Sequence, residues 1–394
     1  MSYIYDEQDL GNLRKALESK QLWARDKGFV GELEREFARR LGSRYAVAGN
    51  AAMSLLHAAI NAAGAGAGDE VICDPVVQFH AVAALYNNAH PVFADIDPRT
   101  WLINPESVEE RITKHTKAIV CTHLWGLPCE LDTLRRIADK HDLVLIEDCA
   151  HSLFAKYKGK NSGTWGHIGV FSFCGGKHLS TGDGGVAVTD DEDLMKKMRA
   201  MIIFGESPPE LAHNYRMTEL VAAVALAQLD RVDGYIRLRN ENYEVYEEVV
   251  RECTWLESRM IPGDRTLSAY IYGCLFRGRE HGVDYNAFKD AAEEVGVKAG
   301  FGFTQVPAYL YEFFQAPLAY GNKGCPLRGC PYYRGSFTPY DKHRVLGLCP
   351  VAEDLIPRIV STNVWMPKED ALRNADLLRK TIRMMERGGR IAEI

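Results

Sequence analysis

From Tyr45 to Thr189 the chain repeats one pattern, in which short apolar runs alternate with helix-like stretches. The apolar runs are Tyr45 to Gly49, Glu70 to Asp74, Pro91 to Ile96, Ala118 to His123 and Leu143 to Asp148, then Ile168 to Cys174 and Gly185 to Thr189. Between the earlier ones lie Ala51–Ala63, Phe79–Asn87, Pro105–Ile112 and Leu131–His141, with helical periodicity or composition. Strands that are apolar on both faces and joined by helices predict an α/β fold, a mostly parallel sheet with helices on both sides. In such sheets ligands sit at the carboxyl ends of the strands, so residues closing each run are the first candidates for chemistry.

From about Thr218 the texture changes. A long helix, Glu219 to Val250, is dense in Leu, Ala, Arg and Glu; mixed short elements follow, then a last helix near Lys368–Arg387. The expected division is a large domain over 1–217, including an N-terminal helix, and a smaller C-terminal α+β domain over 218–394 that begins with the long helix. Gly321–Leu348, rich in Gly, Pro, Tyr and basic residues, reads as a long surface or active-site loop.

Composition narrows the function classes. The net charge of -6, with no long run of Lys or Arg, argues against a nucleic-acid track. The N-terminus carries Asp6, Glu7 and Asp9 and no apolar stretch, so it reads as an amphipathic helix and not a signal peptide. Nowhere do about 20 consecutive apolar residues mark a membrane span. Cys73, Cys121, Cys149, Cys174 and Cys274 sit inside apolar runs, as small buried hydrophobes do in a reducing cytoplasm, the expected location.

The chemistry concentrates in IEDCAH (Ile146–His151) and GVFSFCGGKHLSTGDGG (Gly169–Gly185). Asp148 closes the run LVLIED, so its carboxylate emerges at a strand's carboxyl end. There it suits the ring nitrogen of a pyridoxal cofactor, whose protonated form is the electron sink of transamination. A helix N-cap is the plainer role for such an Asp. Lys177 lies among glycines shortly before GGVAVTD. A lone lysine is ordinarily a solvated surface charge. Here Ser172, five residues upstream, offers a hydroxyl to a phosphate, and Gly182, Gly184 and Gly185 permit tight turns near a ligand.

With these motifs in order, the sequence resembles the DegT–StrS sugar aminotransferases, within the fold-type I enzymes that use pyridoxal 5'-phosphate (PLP). That family reads EDAAQ or EDAAH, then FSF, a Lys, and TTGEGG. Here stand Glu147-Asp148-Cys149-Ala150-His151, Phe171-Ser172-Phe173, Lys177 and Thr181-Gly182-Asp183-Gly184-Gly185. Glu32–Ala52, Gly68–Pro98 and Asn214–Val232 are similar to further family segments, so the resemblance covers most of the chain. It implies a three-layer fold with a mostly parallel, seven-stranded type of sheet.

The resemblance also implies roles. Lys177 forms the Schiff base with PLP and moves the proton, and Asp148 keeps the ring protonated. Gly49, Asn50 and Ala51 match the last three positions of an SGTA-type turn whose amides hold the phosphate, as a helix N-terminus does. The usual Thr is Asn50 here, which loses a hydroxyl contact. Phe79 matches the aromatic stacked on the pyridine ring, although a core position is the commoner fate of a Phe. His151 matches the position near the ring hydroxyl, and Ser172 a phosphate anchor. Asn214 matches a residue that reaches the neighbouring subunit's phosphate, with Arg216 and His178 on the substrate side. A homodimer with shared active sites follows.

Two departures stand out. GEGG is GDGG here, which keeps the acid but shortens its reach. His178 follows Lys177, where a dehydratase branch carries a His-His pair with the first histidine in place of the lysine; the lysine is kept, so aminotransfer is the reading. The expected reaction moves an amino group from glutamate or glutamine to a keto-sugar, nucleotide-linked or free, in amino-sugar or natural-product biosynthesis. The FSF-x-x-x-Lys spacing and Cys349–Pro367 look more like the cyclitol and 3-amino-5-hydroxybenzoate synthase branch, so a cyclitol ketone or an aminohydroxybenzoate-type synthesis is the alternative. A sugar dehydratase and a non-catalytic regulator are further rivals. Substrate choice is assigned to Gly321–Leu348. Cys325, Cys330, His343 and Cys349 are too irregular for a zinc pattern, and no metal is expected. His57, His80, His90 and His123 show no paired acid at a telling spacing. No G-x-G-x-x-G follows the first strand, which argues against a nicotinamide enzyme.

Overall fold

A computed structural model of the chain describes residues 5–23, 26–204, 212–311, 314 and 346–388. Residues 321–345 of the expected loop, with Cys325, Cys330 and His343, lie outside the described residues.

Helices α1 (Glu7–Glu18) and α2 (Phe29–Leu41) lead into β1 (Tyr45–Gly49). Then come α3 (Ala52–Ala62), β2 (Glu70–Cys73), α4 (Phe79–Tyr86) and β3 (His90–Phe93). The alternation continues through α5 (Pro105–Arg111), β4 (Thr116–Thr122), α6 (Leu131–Lys140) and β5 (Val144–Asp148). Short strands β6 (Lys156–Tyr157) and β7 (Lys160–Asn161) interrupt it before β8 (Ile168–Ser172), β9 (Gly185–Thr189) and α7 (Glu192–Ile202).

Among the described residues, seven strands form one sheet in the order β1-β9-β8-β5-β4-β2-β3. β2, β3, β4, β5 and β8 pair in parallel, and β9 alone runs against its neighbours β8 and β1. The predicted mostly parallel sheet is therefore present, with every one of the seven expected strands in it. Its centre has no wet face. Ile72, Ile119, Val120, Leu145 and Ile146 are all 0% exposed, as strands covered by helices on both sides require. Helix α6 shows how that cover is built: Leu131, Leu134, Ile137 and Ala138, spaced three and four apart, form its buried stripe.

The 33-residue α8 (Glu219–Arg251) follows, with Thr218 capping it by accepting the Val221 amide. Beyond it lie β10 (Leu256–Ser258), β11 (Arg265–Thr266), β12 (Ile271–Phe276), α9 (Tyr285–Val295) and β13 (Gly300–Phe301). The chain continues with α10 (Pro350–Leu355), β14 (Ile359–Asn363) and α11 (Lys368–Gly388). An antiparallel sheet, β10-β12-β14-β13, packs an apolar cluster against α8, α9 and α11 that includes Tyr246, Trp255, Phe276, Phe288 and Leu378. β11 pairs with β6, so the segment after α8 is strapped onto the loop beyond β5. No helix among the described residues is long and apolar enough to cross a membrane.

Parallel strands bring their carboxyl ends to one edge. Thr122, Asp148 and Ser172 end β4, β5 and β8 there; Gly49 ends β1, and Asp74 follows β2.

Candidate active site

Lys177 sits in the connection from β8 to β9, which is tied across by Phe173 N–H to Gly184 O (2.9 Å) and Gly175 N–H to Gly182 O (2.9 Å). Gly176 adopts φ +89°, a left-handed turn that a side chain would strain, and so sets Lys177 over the sheet edge. The Lys177 Nζ lies 4.5 Å from the centre of the Tyr270 ring. Burial lowers its pKa from 10.5 to about 8, against the opposing pull of the Asp148 and Cys174 charges and with help from Arg239.

Asp148 ends β5 and is 2% exposed. Its Oδ1 accepts the Ala150 amide at 3.0 Å. Burial pushes its carboxyl above the usual range, and the Ala150 amide and the charges of His80 and Lys177 hold it back. Lys177 and Asp148 thus perturb one another's titration inside one buried neighbourhood. His151, three residues on, stacks on Tyr270 with ring centres 4.4 Å apart and planes 14° from parallel. Burial, with the charges of Lys177 and Arg259, keeps its imidazole neutral. Its Nδ1 is buried with no hydrogen-bond partner among the described residues.

Ser172 is half-buried at the end of β8, its Oγ accepting the Cys174 amide at 3.3 Å. Gly49 pairs with Gly185, whose missing side chain leaves room for the start of α3: a Cβ there would lie 3.0 Å from the Ala52 nitrogen. The Gly49–Ala51 turn differs from expectation in one respect. The Asn50 amide is spent on the Tyr215 carbonyl at 2.7 Å, and the Asn50 Oδ1 accepts the Ser54 hydroxyl at 2.7 Å. The amides left to meet an anion are those of Ala51 and the first turn of α3, which has no side-chain cap. Phe79 opens α4 and is 48% exposed, so it is not a core residue. Asn214 is exposed and Arg216 half-buried, and Arg216 bridges Gly49 in the same chain.

His178, expected on the substrate side, is engaged by the protein's own backbone. It is 1% exposed, and its Nε2 lies 3.0 Å from the Ser268 carbonyl and 3.1 Å from that of Ala269. Burial keeps it neutral, and its ring supports the Ser268–Tyr270 segment.

Several residues at this edge had no signal in the sequence. His80 Nε2 meets Asp74 Oδ2 at 2.9 Å, and His123 Nε2 meets Glu147 Oε2 at 2.9 Å, all four side chains buried. Both pairings were missed because the acids lie six and 24 residues away along the chain. Cys121, His123, Cys129, Glu147 and Cys149 gather closely enough to suggest a metal. However, His123 Nδ1 already accepts the Cys129 amide (3.1 Å), and Glu147 accepts amides from Gly163, Trp165 and Gly166. The cluster is closed by its own hydrogen bonds. Tyr270 and Arg239 come from beyond α8's start; a candidate aromatic or arginine there carried no spacing cue.

Comparison with known proteins bears on the family and the fold. Over 227 residues the chain is 40% identical to GDP-perosamine synthase of Caulobacter vibrioides, a match that covers 56% of this chain and 61% of that protein, under two thirds of its length. It is 34% identical over 302 residues to L-glutamine:2-deoxy-scyllo-inosose aminotransferase of Streptomyces kanamyceticus, covering 71% of this chain and 70% of that one. The solved structure of DesI in the presence of its TDP-sugar product superposes with a TM-score of 0.81 at 28% identity, covering 100% of this chain and 94% of DesI. Residues 4–328 match the family profile itself, and the chain belongs to the DegT/DnrJ/EryC1/StrS aminotransferase family.

Proposed function

We propose that the chain is a PLP-dependent aminotransferase that moves an amino group from glutamate or glutamine to a keto-sugar, as a homodimer in the cytoplasm. The observation that carries this reading is the nearness of half-buried Lys177 and buried Asp148 at the carboxyl edge of the sheet, where each charge shifts the other's pKa and burial lowers that of the lysine to about 8. The buried, unpartnered Nδ1 of His151 and the uncapped start of α3 fit a ligand with a ring substituent and an anionic end. Eight described cysteines are free thiols, as suits a reducing compartment.

Bound here, PLP supplies an electron sink conjugated with the substrate's Cα–H bond. The chain's own residues do the rest. Asp148, fixed by the Ala150 amide, holds a proton on the ring nitrogen. Ser172 and the first turn of α3 bind the phosphate, and Phe79 fixes the ring plane, which orients the bond to be broken. Lys177 carries the cofactor, then takes a proton at Nζ and returns it to the substrate; a pKa near the working pH serves both directions. Asn214, exposed in the single chain, and Arg216 complete the partner's site.

A cyclitol ketone is the second acceptor class, favoured by the similarity to the 2-deoxy-scyllo-inosose aminotransferase of Streptomyces kanamyceticus. The test supplies glutamate or glutamine together with nucleotide-linked keto-sugars, free keto-sugars or cyclitol ketones and looks for the amino product. One ketone class should be aminated, with a loss of at least ~10²-fold in Lys177→Ala. Product formed by that variant at the wild-type rate would sink the assignment.

A further inference from the structure

Lys177 is seated in a way that covalent attachment to a cofactor does not require. Its Nζ stands 4.5 Å from the centre of the Tyr270 ring, within the range of a cation–π contact. The same ring stacks on His151. Tyr270 is itself immobilised by a built network. Its N–H donates to the Trp125 carbonyl (3.3 Å) and its carbonyl accepts from Arg239 Nη1 (3.3 Å). The two preceding carbonyls, of Ser268 and Ala269, hold His178 Nε2, and the Ala269 amide donates to Asn240 Oδ1 at 2.8 Å. Arg239, 0% exposed on α8, also donates through Nη2 to the carbonyls of Gly176 (2.7 Å) and of Lys177 itself (2.9 Å). One guanidinium therefore grips the backbone of the lysine and the backbone of the tyrosine, and fixes the separation between them.

We propose that Tyr270 is a positioning residue for Lys177: its ring is the seat that the Nζ takes whenever that nitrogen is not bonded to the cofactor, and Arg239 sets where the seat stands. This rests on the reading of Lys177 as the cofactor-bearing lysine. In aminotransfer that amine is released when the substrate's nitrogen displaces it, and it must then stay beside the substrate's carbon to move a proton. A free lysine side chain has many rotamers open to it, so an unseated amine spends most of its time elsewhere. The ring face attracts the ammonium more than the neutral amine. It therefore offsets the burial and the Arg239 charge, both of which favour loss of the proton.

The test uses the holoenzyme with its cofactor in the pyridoxamine phosphate form, so that Lys177 is free. The pH dependence of Lys177 acetylation by acetic anhydride is read by mass spectrometry. Phenylalanine and phenylalanines of increasing fluorination are placed at 270, which keeps ring shape while weakening its π face. Tyr270→Leu removes the face altogether. Tyr270→Phe should titrate as the wild type does, and the apparent pKa of Lys177 should fall stepwise with fluorination. In Tyr270→Leu it should fall by roughly 0.5 to 1.5 units. A residue that served only to hold the fold would not follow the fluorination series. In parallel, each protein in the PLP form is reduced with borohydride. Pyridoxyl-Lys177 in every variant, with a titration indifferent to fluorination, would overturn the seat and leave the cofactor assignment standing. Absence of pyridoxyl-Lys177 from the wild type would overturn both.

Discussion

At the residue scale, the positions of Lys177 and Asp148 were legible because short motifs carry them. The acid closes an apolar strand and the lysine lies in a glycine-bounded turn, and the roles proposed for both rest on those neighbours. What surrounds them was not legible. Tyr270 and Arg239 reach Lys177 from a loop and a helix far along the chain, and contacts of that kind leave no spacing in the sequence. The contacts of His178 were not legible either: its place beside Lys177 suggested substrate, and its ring meets the distant Ser268 and Ala269 carbonyls. The seating of Lys177 has a stability consequence. Its pKa falls from 10.5 to about 8 on folding, so the folded state disfavours the charged form. The penalty is complete below about pH 8 and fades as pH rises toward 10.5, where the lysine is neutral in both states. For the cofactor-free protein, Lys177→Met should raise stability at pH 7 by up to about 3 kcal/mol, and the gain should shrink toward zero by pH 10.5. Urea unfolding of both proteins across that range measures it; a gain that is constant with pH would contradict the buried charge.

At the scale of elements, the strand–helix alternation of the first half was read almost to the residue. Strands buried on both faces are continuous apolar runs, and the amphipathic helices between them have an unbroken period. Beyond α8 only the last helix, α11, was legible. Strands β10, β12, β13 and β14 are short, and β12 finds its partner β14 far downstream, so no local pattern marked the sheet. The turn after β2 holds a pairing of the same non-local kind. Asp74 accepts the Val76 and Val77 amides through one oxygen and meets His80 through the other, at the mouth of α4 beside the exposed Phe79. The Asp74 carboxylate holds His80 well above the usual imidazole range despite burial. Asp74→Asn strands that imidazole without its counter-charge and should cost about 3 to 5 kcal/mol. Chemical denaturation should show it, and a loss below 1 kcal/mol would mean the pair is not a buried ion pair.

At the scale of the whole molecule, the parallel sheet explains why residues from Gly49 to Ser172 meet at all. Its carboxyl edge collects them, and the strap from β11 to β6 brings the Ser268–Tyr270 segment over that edge. The proposed homodimer would give the exposed Asn214 a role across two subunits. If it completes the partner's site, Asn214→Ala should weaken PLP retention, and so should leave a defect that Lys177→Ala subunits can repair. After mixing and exchange of equal amounts, one site in each mixed dimer is whole, which gives about a quarter of the wild-type number of sites. Activity no greater than the sum of the two variants alone would place each site within one chain.

The most direct test of the central claim is to record the visible absorption of the purified protein with PLP, reduce it with borohydride, and map the pyridoxyl group by peptide mass. The expected result is a yellow band that glutamate or glutamine bleaches and, without donor, a single pyridoxyl group on Lys177. A pyridoxyl group on another lysine, or no covalent attachment at all, would contradict it.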